Sequence, residues 1–227
     1  MVLDDWQTKQ AEYDQHRRAG RYNRAYAEML AADRGDLLHE EFLLAVVRFL
    51  MAFDMARSMG QSPEDLNEPA SFIRLLRAKL EALQPMFMQI RENANVPQAS
   101  VAVVYSALAE AGPTGLDARN RADARLRRQF RFDVGATKIM HAICPTKLFI
   151  LDRYVAFSLQ DHYPNPSWGY HNNHPIGHDV NKYRRGLEVA RQEIIQTFGN
   201  AAAEDGIDGQ PAFRIFDKCA WILGRAN

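Results

Sequence analysis

The order of apolar and polar positions divides the chain into helical segments separated by turns rich in glycine, proline and polar residues. No strand-like alternation and no internal repeat is present. Within residues 1–35, Trp6, Tyr13, Tyr22, Tyr26, Met29 and Leu30 recur at loosely helical spacing among many charges, which predicts one or two surface helices with no visible chemistry. Residues 36–59 carry apolar side chains nearly all round a helix, from Leu37 and Phe42 to Leu50 and Phe53, and predict a central buried element. A polar loop over 60–68 leads to a helix over 71–83, with Phe72, Ile73, Leu76, Leu80 and Leu83 on a broad face. Pro85 is expected to break or kink this run before residues 86–90. Pro97 opens a helix that buries Val101, Val104, Tyr105 and Leu108 and stops at Gly112-Pro113.

Residues 117–131 read as an arginine-dense helix with Arg121, Arg125 and Arg128 on one face. The following stretch, 134–159, organises the rest of the chain. Thr137 and Lys138 open a short helix with an apolar stripe of Ile139, Met140 and Ile143, and Pro145 stops it. Residues 148–151 are all apolar. Asp152 follows directly, at the mouth of a second amphipathic helix through Val155, Phe157 and Leu159. Residues 161–179 have almost no aliphatic side chains and read as an ordered loop forming a pocket wall. Asp179 caps a helix with Tyr183, Leu187, Ala190, Ile194 and Phe198 inward, ending at Gly199. A small flexible connector over 201–210 leads to a last helix that starts at Pro211 and stops at Gly224. The fold class is all-α, one domain over 1–227 with two packed lobes.

Charge changes this picture only locally. The net charge of the 227 residues is zero, yet residues 117–153 hold seven arginines and two lysines against four aspartates and no glutamate, a local excess of five positive charges. That segment reads either as a face for a polyanion or as a solvated helix face. The two cysteines, Cys144 and Cys219, lie in apolar surroundings and read as reduced core thiols. No basic-then-apolar leader and no membrane-length apolar run occurs, so a soluble cytoplasmic protein is expected.

Three features carry a family likeness: Ala136-Thr137-Lys138 after Gly135, the turn at Pro145, and Leu148-Phe149-Ile150-Leu151-Asp152. Together they resemble the centre of the helix-hairpin-helix DNA glycosylase superfamily, and most of all its short bacterial branch. There a glycine-containing hairpin, a helix and a proline turn lead to a catalytic aspartate. Phe213-Arg214-Ile215-Phe216-Asp217-Lys218, leading to Trp221 and Gly224, is similar to the closing helix of the same group. The likeness covers a small part of the chain. It implies a helix-hairpin-helix-like core at about 117–160 and a closing helix over 211–224. The chain departs from the family pattern at Phe132-Asp133-Val134-Gly135, which offers one glycine and an acid where most hairpins carry two glycines.

The resemblance implies hydrolysis of the N-glycosidic bond of a flipped-out base, with Asp152 as the catalytic carboxylate. By itself, an aspartate before an amphipathic run is an ordinary helix cap. Strand-cutting members use a Schiff-base lysine upstream of the position of Lys138, so a monofunctional enzyme without cofactor is expected. Two cysteines cannot ligate an iron–sulfur cluster. The expected partner is DNA, bound by a monomer through Arg121, Arg125, Arg128, Lys138, Lys147 and Arg153. Lys138 reads as a phosphate contact or a helix-surface lysine, and Arg153 as a phosphate contact or an ion-pair partner of Asp152. Trp168, Tyr170, His171, Asn172 and Asn173 offer stacking faces and amides for a base pocket. His171, His174 and His178 near Asp179 match no familiar metal signature, and no metal is expected. Asp217 is expected to make structural hydrogen bonds.

The aromatic and amide content of the loop suggests a bulky modified pyrimidine, such as glucosylated hydroxymethylcytosine in phage DNA, which would make the chain an antiphage defence enzyme. Ordinary base-excision repair, and a catalytically inactive nucleic-acid-binding or interaction module on the same fold, stay open at this point.

Overall fold

The computed structural model describes residues 1–55, 59, 70–110, 114–118, 131–164 and 180–225. Every regular element among them is a helix, apart from one isolated antiparallel bridge between Ile207 and Gln210, so the all-α expectation holds. The helices are α1 (Trp6–Gln15), α2 (Ala19–Ala32), α3 (Glu40–Ala52), α4 (Ala70–Glu92), α5 (Gln98–Ala109), α6 (Asp133–Ile143), α7 (Arg153–His162), α8 (Val180–Phe198), α9 (Asn200–Asp205) and α10 (Ala212–Arg225). Their buried apolar side chains form one connected cluster from Val2 to Ala220. None of them is long and apolar enough to cross a membrane.

Where the apolar pattern is strong the helices fall as expected. α3 buries Phe42, Leu43, Val46, Phe49 and Leu50, and α5 buries Val101, Val104, Tyr105 and Leu108. Three expectations change. Pro85 does not break α4, which runs through it. Leu83, Phe87 and Ile90 lie on the same buried face to either side, and that packing outweighs a proline cost of about 3 kcal/mol. The expected flexible connector contains α9 and a turn closed by Ile207 and Gln210. Gly206 sits there at φ 84°, where a Cβ would lie 2.3 Å from the Gln210 carbonyl oxygen.

The third change concerns α6. It starts at Asp133 rather than Thr137, so Phe132 to Gly135 are its cap and first turn. The helix is buried on nearly every face, Thr137, Lys138 and His141 included, because it is packed between α3 and α5. Gly135 is needed for packing: a Cβ there would lie 2.1–2.6 Å from three atoms of the Phe132 ring. α10, which packs on α1, α7 and α8, is similarly enclosed from Ala212 to Ala220. At its end a Cβ on Gly224 would lie 1.8 Å from the Tyr154 carbonyl oxygen, so only glycine lets α10 press onto the start of α7.

Candidate functional site

After α6 the chain turns at Cys144, whose carbonyl accepts the amides of Lys147 and Leu148, and then runs extended to Asp152. Among the described residues no strand lies beside this extended run, so its backbone groups must find side chains. They do so at four successive residues. The Leu148 carbonyl lies 2.5 Å from His141 Nδ1, and the Phe149 carbonyl accepts the Tyr183 hydroxyl at 3.0 Å. The Ile150 amide donates to Asp217 Oδ1 at 3.0 Å, and the Leu151 amide donates to Thr137 Oγ1 at 3.1 Å. Asp217 therefore makes the structural hydrogen bond expected of it. A carbonyl only accepts, so the His141 proton sits on Nδ1, and Nε2 takes the Tyr26 hydroxyl at 2.9 Å. Burial keeps this imidazole neutral, its pKa pushed down to about 3.

So delivered, Asp152 caps α7. Its Oδ1 accepts the Tyr154 amide at 2.9 Å and the Val155 amide at 3.0 Å, while Oδ2 has no bond among the described residues. The side chain is half-buried and lines a cavity of about 470 Å³. Lys138 shares that cavity at only 3% exposure, its Nζ 4.6 Å from the centre of the Phe53 ring. Burial pushes the Lys138 ammonium below the ordinary lysine range, against the pull of the Asp152 and Asp217 carboxylates. Lys138 is thus not a helix-surface lysine; it reaches the same cavity as the acid from the enclosed helix behind it.

The cavity walls are aromatic: Tyr22 and Phe53 stack at 4.3 Å on one side, and Tyr154 meets Trp221 edge-on at 5.5 Å on the other. Its rim is cationic. Arg17 and Arg18 come from the turn between α1 and α2, Arg153 from the start of α7 and Arg225 from the end of α10, all exposed. Besides Asp152, the acid at the cavity is Asp54, which pairs with Arg18 and with Arg21. Positive charge therefore exceeds negative around an aromatic cavity with a carboxylate and a buried amine at depth.

The sequence-predicted residues separate here. Asp152, Lys138 and Arg153 share the cavity. Arg153 donates to the Tyr154 hydroxyl at 2.6 Å, and no ion pair joins it to Asp152 among the described residues. Lys147 lies elsewhere, in a smaller hollow of about 150 Å³ with Asn95, Gln98 and Arg191. The turn beyond α6 points it away from the acid, so it does not belong to this site. Arg121, Arg125, Arg128, Trp168, Tyr170, His171, Asn172 and Asn173 lie outside the described residues. The other cavity residues were not expected, among them His16, Arg17, Arg18 and Tyr22 from a segment read as devoid of chemistry, and Phe53, Tyr154, Trp221 and Arg225. The one local signal was the His16-Arg17-Arg18 triplet, three basic side chains in a turn.

The Phe132–Gly135 turn offers little to an anion. The Asp133 carboxylate is turned inward, accepting the Tyr105 hydroxyl at 2.8 Å and lying 3.3 Å from Arg131 Nε. The space above Gly135 is filled by the Phe132 ring. Among the described residues no cluster of three or more His, Cys, Asp or Glu is placed to hold a metal ion. Compared with protein-family models, curated proteins and solved structures, the chain matches none of them.

Proposed function

We propose that the chain is a monofunctional DNA N-glycosylase in which Asp152 is the catalytic carboxylate. One observation carries the reading: a carboxylate fixed to a helix N-terminus through Oδ1, with Oδ2 unbonded among the described residues, lines a cationic, aromatic-walled cavity. A nucleotide flipped into the cavity packs its base against an aromatic lining that includes Tyr22, Phe53 and Trp221. As the C1′–N bond breaks, the base leaves with the bonding electrons and positive charge develops on the sugar, which Oδ2 stabilises. Water then bonds to C1′, its proton passes to the carboxylate, and an abasic site remains. The rim arginines neutralise DNA phosphates.

The substrate we favour is a bulky modified pyrimidine, such as glucosylated hydroxymethylcytosine of phage DNA. A cavity of about 470 Å³ has the size of sites that enclose whole small-molecule ligands, more than a flat unsubstituted ring requires. The test is base release from a panel of deaminated, methylated and glucosylated DNAs, followed by alkali to cut abasic sites. Wild type is expected to give alkali-dependent breaks on at least one of them, and Asp152→Asn about 10³-fold fewer, the usual loss when one group stabilising a transition-state charge is removed. Asn keeps the cap, so the variant should remain folded and still bind DNA. Release of no base by wild type, or undiminished release by Asp152→Asn, would sink the proposal. Breaks on methylated or deaminated DNA alone would leave a repair glycosylase and remove the phage substrate.

A further inference from the structure

Three unneutralised guanidiniums converge on the rim of the Asp152 cavity from three separate helix ends. Trp221 ties these ends together. It meets His16 of the α1–α2 turn edge-on at 5.0 Å and Tyr154 of α7 at 5.5 Å, and it carries Arg225 over its own ring at 4.9 Å. Arg153 lies over Tyr154 at 4.6 Å and, among the described residues, donates to that hydroxyl and pairs with no acid. Arg17 and Arg225 have no acidic partner among the described residues, whereas Arg18 is already paired with Asp54. The crowding is felt by His16, whose imidazole is held below its ordinary range by partial burial and by Arg225, Arg17 and Arg18. Like charges brought together on an aromatic frame, with no acid paired to them among the described residues, form a site completed by an anion from outside.

We infer that Arg17, Arg153 and Arg225 clamp the DNA backbone phosphates flanking the flipped nucleotide, and that this clamp replaces the glycine hairpin as the chain's phosphate-binding element. The inference rests on the glycosylase reading of the same cavity. Planar guanidiniums suit phosphate oxygens in bidentate geometry, and stacking on Tyr154 and Trp221 holds Arg153 and Arg225 in place before DNA arrives. The Phe132–Gly135 turn cannot substitute, because the Phe132 ring occupies the space over Gly135 and the Asp133 carboxylate fills the first turn.

The experiment is equilibrium binding of a labelled duplex carrying one tetrahydrofuran abasic-site analogue, by fluorescence anisotropy over a series of KCl concentrations. Each phosphate contact contributes about 0.9 to the slope of log K against log salt, so each is worth about eightfold in affinity near ~0.1 M salt. The Arg17→Ala/Arg225→Ala double variant is expected to lose about two units of slope and about 60-fold in affinity under those conditions. The Arg17→Lys/Arg225→Lys variant should keep the slope. Arg34→Ala, which removes an exposed arginine outside the cavity, should behave as wild type. All the substituted arginines are exposed, and thermal melts verify that the variants fold. An unchanged slope in the double alanine variant, with wild type bound, overturns the clamp and leaves the glycosylase reading intact. A chain that binds no duplex at any salt overturns both. A reduced slope in a protein that releases no base from any DNA supports the clamp and removes the glycosylase.

Discussion

Substituting Gly135 with alanine separates the two roles open to that residue, close approach of a phosphate and accommodation of a ring. An alanine Cβ would lie 2.1, 2.2 and 2.6 Å from three atoms of Phe132, whose ring is buried and faces Phe72 at 6.1 Å. The ring has to move within a filled core, an overpacking cost of roughly 1–3 kcal/mol. Alanine in place of glycine within a helix returns about 1 kcal/mol. The net expectation for Gly135→Ala is a loss of up to about 2 kcal/mol, or a fall of at most a few degrees in Tm for a chain of this size. Phe132→Ala by itself should cost about 3–5 kcal/mol, but it empties the space into which the new methyl projects. In that background Gly135→Ala should become stabilising by up to about 1 kcal/mol, a coupling of roughly 1–3 kcal/mol. Urea unfolding of the four proteins, followed by far-UV circular dichroism, measures the cycle. Equal effects of Gly135→Ala in both backgrounds would refute the packing account. So would wild-type stability joined to weakened duplex binding, the result expected if the bare backbone served a phosphate.

Two further outcomes follow from the buried contacts around the site. His141 titrates at about 3 in the folded chain against 6.5 when unperturbed, so between those values the unfolded chain binds the extra proton and stability falls as the pH drops. Each pH unit below about 6.5 should remove about 1.4 kcal/mol, roughly 2 kcal/mol by pH 5. Urea midpoints at pH 7 and 5 should show this loss in wild type and a flatter profile in His141→Gln; an identical profile in both would reject the assignment. Gly224→Ala would bring a Cβ within 1.8 Å of the Tyr154 carbonyl, a backbone atom that cannot rotate away. It should cost at least about 2 kcal/mol and lower base release at temperatures where the variant is still folded, because Tyr154 and Trp221 form one cavity wall. Normal stability and normal turnover together would contradict that contact.

Much of the scaffold was legible because its signals are local. The apolar faces of α3, α5 and α8 repeat within a few residues, and the cap at Asp152 needs only the two amides that follow it. The start of α6 was not legible. Thr137, Lys138 and His141 look like a polar face, yet each is enclosed: Thr137 binds the Leu151 amide, His141 the Leu148 carbonyl, and Lys138 reaches the cavity over Phe53. That burial comes from α3 and α5, which approach from distant parts of the chain. The same holds for the cavity. His16-Arg17-Arg18 lies well over a hundred residues before Asp152, and Arg225 lies beyond it at the far end of α10. No spacing rule links them; their meeting is a consequence of α10 packing on both α1 and α7.

That packing also accounts for where the fold accepts unfavourable burial. Lys138, Arg214 and Asp217 are each about 3% exposed, a concentration of ionisable groups that a core built for stability alone would replace with apolar side chains. Burial raises the Asp217 carboxyl well above its ordinary range even with Arg214 nearby, and its Oδ2 has no hydrogen-bond partner among the described residues. Arg214 is held chiefly by rings, 5.3 Å from Tyr13, 5.0 Å from Tyr26 and 6.0 Å from Phe53, and donates to the Tyr13 hydroxyl at 3.0 Å and to Asn23 Oδ1 at 3.5 Å. These groups are not scattered. Asp217 grips the Ile150 amide two residues before Asp152, and Arg214 and Lys138 approach the same Phe53 that forms the cavity wall. Local rules of burial fail together at one place, directly behind the carboxylate, as the proposed function would require of a fold that gives up stability to hold Asp152 in position.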